Sequence, residues 1–150
     1  MKRAFVIIMM AAALILAVPV AVNCQKAVSG FEKSSAPHLG TWQLSSYKYG
    51  QNSSAFIDVP SNLQHIKLIT ENYFTWVNTD TTTKKVYSMA GGRYTLNGNT
   101  YIESIDYGIG MDDYLGHKQI FTIKVEGDMF FLSGKLNDNY MIEEIWRRVK

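Results

Sequence analysis

Gly91-Gly92-Arg93-Tyr94-Thr95-Leu96-Asn97-Gly98-Asn99-Thr100-Tyr101-Ile102-Glu103-Ser104-Ile105-Asp106-Tyr107 is the stretch from which the rest of the chain can be read. Two runs rich in aromatic and β-branched residues flank Asn97-Gly98. That dipeptide favours a type I′ turn, whose central residues both need positive φ, and so predicts a β-hairpin. A two-residue turn there pairs Tyr94 with Tyr101, Gly92 with Glu103, Ala90 with Ile105 and Ser88 with Tyr107. Thr95 then meets Thr100, and Arg93 meets Ile102, on the other face. The first face is aromatic and apolar around a single carboxylate, and the second is mostly polar. A sheet with one buried side has this pattern.

The flanking sequence repeats the texture. Alternation and turn residues predict strands over 40–49, 63–69, 73–78, 86–96, 99–107, 117–126, 130–136 and 140–149. Gly127-Asp128 is a second two-residue turn, which pairs Val125 with Phe130, Ile123 with Leu132 and Phe121 with Gly134. Between 63–69 and 73–78 a three-residue turn, Thr70-Glu71-Asn72, pairs Leu68 with Phe74 and Ile66 with Trp76. An even turn would instead set Lys67 and Ile69 opposite Trp76 and Phe74. The odd turn collects four core residues on one face and is preferred, because register follows the buried face. The expected fold is all-β: an eight-stranded antiparallel up-and-down barrel, since closure removes exposed strand edges. The short turns all fall at one end and the long links at the other, which is the shape of a cup.

The chain has 150 residues, with 15 basic and 13 acidic side chains. Lys2-Arg3 followed by an uncharged apolar run to Val22 reads as a signal peptide over 1–23. Without those two basic residues the remaining charges balance, which argues against nucleic acid or an electrostatic membrane partner. Residues 24–37 read as a tether and 38–150 as one domain, large enough for its own core. The single cysteine, Cys24, directly follows the apolar run and leaves no internal disulfide. Its position resembles the lipidated cysteine of bacterial lipoproteins, although Ala21 and Asn23 replace the usual neighbours. The expectation is an exported protein, periplasmic or at the cell surface. A lipoprotein, a cleaved soluble form and an uncleaved anchor stay open, and membrane contact is expected only through a lipid on Cys24.

Gly40-Thr41-Trp42 resembles the G-x-W signature at the first strand of lipocalins and fatty-acid-binding proteins. The closing Ile142-Glu143-Glu144-Ile145-Trp146-Arg147-Arg148 is similar to their last strand. From Leu39 to Lys150 the chain resembles the bacterial lipocalin-like domains of exported proteins. The resemblance implies that Trp42 plugs the closed end and that Arg147 or Arg148 packs across it. The carboxylate clamp of fatty-acid-binding proteins has no match, since Glu144-Ile145-Trp146 stands in its place, so a fatty-acid carboxylate is a poor ligand.

The expected function is binding of a small, partly apolar molecule inside the barrel. Trp76, Gly92, Glu103, Tyr107, Gln119 and Phe121 are the candidate lining residues. Glu103 matters most, because a carboxylate facing an apolar interior needs a partner or a proton. Phe56 and Ile57, in an apolar loop stiffened by Pro60, are expected to fold over the mouth as a lid. The alternative is a filled barrel acting as a structural or protein-interaction module. No enzyme chemistry, cofactor or metal is expected: His38, His65 and His117 lack metal-ligand spacing, and no nucleophile or phosphate-loop motif is present.

Overall fold

The computed structural model describes residues 36–136 and 139–150. The expected signal peptide over 1–23, Cys24 and nearly all of the expected tether over 24–37 lie outside the described residues. Among those described, the strands are β1 (Gly40–Tyr49), β2 (Ile57–Asp58), β3 (Leu63–Ile69), β4 (Tyr73–Asp80), β5 (Lys85–Asn97), β6 (Thr100–Ile109), β7 (Lys118–Glu126), β8 (Met129–Lys135) and β9 (Met141–Arg148). A single 3-10 turn, η1 (Asp112–Tyr114), interrupts the β6–β7 link. From β3 to β9 each strand pairs antiparallel with the next, and β1 pairs with both β3 and β9. The sheet therefore closes on itself as the expected eight-stranded antiparallel barrel. The two-residue β2 is added along the far half of β1, with Tyr47 opposite Ile57.

Register agrees with the sequence reading in one hairpin and departs from it in two. The β7–β8 pairs are those that Gly127-Asp128 dictates, including Val125–Phe130 and Phe121–Gly134. At β5–β6 the turn is Gly98-Asn99 rather than Asn97-Gly98, and Leu96 faces Tyr101 while Tyr94 faces Glu103. Only Gly98 has positive φ, +61°. A type II′ turn with glycine first avoids placing Asn97 in the left-handed region. The shift is two residues, so the same face stays inward and Glu103 remains inside.

At β3–β4 the even turn is the one formed: Lys67 faces Trp76 and Ile69 faces Phe74. The Thr70 amide donates to the Tyr73 carbonyl at 2.9 Å around Glu71-Asn72. The expected odd turn is overturned by a charge pair. Turning Lys67 inward sets its ammonium against Glu103, and Leu68 takes the outer face instead.

The short-turn end is solidly packed. Trp42, Phe74, Tyr101 and Phe130 are fully withdrawn from solvent there. The Trp42 and Phe130 rings lie 5.3 Å apart. Each such side chain contributes about 1.5–3 kcal/mol by burial. Arg148 lies opposite Trp42, with its guanidinium 4.0 Å from the indole centre. It donates to the carbonyls of Leu39 at 2.8 Å and Pro37 at 2.6 Å. Of the two candidate arginines, Arg148 takes the plug position. Arg147, one residue earlier, alternates to the outside and is exposed.

The same end is sealed by His38. Its carbonyl accepts the Trp42 indole N–H at 2.9 Å. The Tyr94 hydroxyl donates to the Thr70 carbonyl at 2.7 Å, so the His38 Nε2–H must be the donor in its 3.0 Å contact with Tyr94. Burial lowers the His38 pKa and favours the neutral ring.

Candidate functional site

Above this packed base, towards the long links, the interior is not filled. A cavity of about 250 Å³ remains. Its apolar wall includes Trp76, Ile105, Phe121 and Leu132, and Met111 and Tyr114 approach it from the β6–β7 link around η1.

The floor is ionic. Lys67 and Glu103 are each 3% exposed, and the Lys67 Nζ donates to Glu103 Oε1 at 2.8 Å. The ammonium also lies 5.3 Å from the Trp146 ring centre and 5.9 Å from those of Phe74 and Tyr101, within cation–π range. The phenol of Tyr101 is pushed well above its usual pKa by burial and then by the Glu103 charge, so it stays protonated.

Glu144 is a second interior carboxylate. It sits on β9 opposite Tyr47 on one side and Leu132 on the other. Tyr49 Oη donates to its Oε1 at 2.6 Å and the Trp146 indole to its Oε2 at 3.0 Å. Burial raises the Glu144 pKa, and the Lys67 charge and these two hydrogen bonds oppose the rise. The Glu144 charge adds to burial in lifting the Tyr49 pKa far above normal. Two carboxylates thus face one ammonium inside the barrel.

Residues 38–150 match the family model described as a domain of unknown function, DUF4488. The chain belongs to the DUF4488 family. No curated protein matches it in sequence.

Four of the residues singled out from the sequence line the cavity of this DUF4488 domain: Trp76, Glu103, Gln119 and Phe121. Glu103 and Gln119 stand directly opposite one another on β6 and β7. Gly92 and Tyr107 do not line it. A register shift between Gly91 and Gly92 leaves Asp106 as an extra residue on β6, so Ile105 pairs with Gly92 but Tyr107 pairs with Gly91. Such a bulge reverses the alternation beyond it. Tyr107 therefore turns outward, is 49% exposed, and lies where any side chain on Gly91 would strike its ring. A side chain on Gly92 would strike the Ser104 carbonyl, so this glycine permits close strand approach and does not enlarge the cavity in front of Glu103.

The expected lid is also displaced. Ile57 is held in β2 against β1, and Phe56 is 44% exposed with the Lys48 ammonium 5.5 Å from its ring. Phe56 borders the outer faces of β7, β8 and β9 beside Lys124, Phe131 and Ile145. Met111 and Tyr114 occupy the cavity side that Phe56 and Ile57 were expected to cover.

Lys67 and Glu144 were missed. For Lys67 a signal existed: an inward Glu103 calls for a cation, and only the even β3–β4 turn supplies one. Glu144 follows a β1–β9 register shift between Leu44 and Ser46, which no local pattern marks. Among the described residues no group of three or more His, Cys, Asp or Glu side chains could hold a metal ion.

Proposed function

We propose that this DUF4488 domain is a receptor for a small, partly apolar molecule, held in the upper half of the barrel above the Lys67–Glu103 pair. The observation that carries the reading is the division of the interior. The base is filled by fully buried aromatic side chains, yet about 250 Å³ is left open above it, bordered by both apolar and ionic groups. Ligand pockets combine apolar walls with a few placed polar groups in this way, and the volume lies just below their usual range of about 300–1,000 Å³. A small cargo is implied. The resemblance to lipocalin-like domains of exported proteins supports the same reading.

Mass spectrometry of compounds extracted from the purified protein tests it, alongside a Leu132→Trp variant that fills the cavity. A small molecule is expected from the wild type and not from a variant that melts at a similar temperature. Wild-type protein that yields nothing and takes up no apolar probe would sink the receptor reading.

We further propose that the domain is exported and carries a lipid on Cys24. The placement of Cys24 at the end of the apolar leader supports this. Cys24→Ser should then move the protein from the membrane fraction to the soluble one. An unchanged membrane fraction would indicate an uncleaved anchor.

A further inference from the structure

We propose that the cavity selects an organic cation: a small molecule with an apolar or aromatic body and a positively charged nitrogen head seated against Glu144. The inference rests on the receptor reading above and adds the charge of the cargo.

The first support is a charge imbalance. Among the described lining residues Lys67 is the only Lys or Arg, and its ammonium is already hydrogen-bonded to Glu103 at 2.8 Å. His65, also on the wall, has its pKa lowered by burial and does not supply a second positive charge at neutral pH. Among the described residues, ionised Glu144 therefore has only a share of the Lys67 charge. A carboxylate partly withdrawn from water with so little compensation favours a proton or a bound cation.

The second support is open acceptor capacity. Each Glu144 oxygen accepts one hydrogen bond, from Tyr49 or from Trp146. A carboxylate offers about four lone-pair sites, so a donor arriving from the cavity can still be accepted. The third is the wall itself. Tyr49, Trp76, Tyr114, Phe121, Tyr140 and Trp146 border the same space. Aromatic faces attract cations within about 6 Å of the ring centre, as three of the barrel's rings already do for Lys67. An anionic ligand would instead meet two carboxylates.

Isothermal titration with three probes of similar body tests the charge preference: 2-phenylethylamine, neutral 2-phenylethanol and anionic 3-phenylpropionate, at about pH 7 where the amine is charged. The amine is expected to bind at least about tenfold more tightly than the alcohol, and the propionate most weakly. Glu144→Gln should reduce amine affinity about tenfold while leaving alcohol affinity within about twofold. The wild-type ranking decides the matter even if that variant does not fold. Equal binding of all three probes, or tightest binding of the propionate, would overturn the cation preference and leave the receptor reading standing. Binding of none would overturn both.

Discussion

Lys67 and Glu103 form one buried pair, but their losses are not equivalent, because Glu144 also lies within reach of the Lys67 charge. Removing one partner of a buried pair typically costs about 3–5 kcal/mol. Lys67→Met leaves two carboxylates facing each other without a cation and should fall in that range. Glu103→Gln leaves Lys67 facing Glu144 and should cost less. Urea denaturation of the two variants gives the order, and equal losses would show that Glu144 does not share the Lys67 charge. Their double variant should lose less than the sum of the single losses, since one carboxylate rather than two is then left without a cation. At the base, Trp42→Ala removes a fully buried indole and the ring under Arg148, for an expected loss of about 3–5 kcal/mol.

Turns decide register in this sheet, and each is held by a different physical device. Gly98 has open space around its absent side chain and a φ of +61°, so Gly98→Ala tests the backbone alone. A loss of more than about 1 kcal/mol is expected, because alanine resists positive φ, while Gly98→Asn should lose less. Thermal melts of the two variants check that order. The loops of the open end differ in function: Tyr114→Ala should alter uptake of an apolar probe, whereas Phe56→Ala, on the outer wall, should not.

Much of this was legible in the residues. The bounds of β1 and β3, the Gly127-Asp128 pairing and the inward face of Glu103 follow from alternation and turn chemistry. The β3–β4 turn was not, because counting apolar residues favours Leu68 inside, and only a partner 36 positions away makes Lys67 a better occupant. Tyr107 was misplaced for a related reason. Alternation runs unbroken on paper, and the extra residue at Asp106 appears only when β5 and β6 approach as closely as Gly91 and Gly92 allow.

The barrel as a whole should carry its interior charge into its pH response. The Glu144 pKa is raised in the folded state, so between the ordinary carboxylate range and that raised value the folded form binds more protons than the unfolded one. Stability from this group is complete at low pH and is lost as pH rises through the raised value. His38 and His65, lowered by burial, act in the opposite direction near neutrality. The difference in melting temperature between wild type and Glu144→Gln from about pH 4 to about pH 8 isolates the carboxylate. It should move against the wild type as pH rises, and a flat difference would mean that Glu144 ionises as freely as in water.

Closure of β1 on β9 also brings Pro37, Leu39 and Arg148 together at the packed base, opposite the cavity mouth. The first described residues and the cavity mouth therefore lie at opposite ends of the barrel, so a tag fused directly before Pro37 starts away from the mouth and should leave uptake of an apolar probe unchanged.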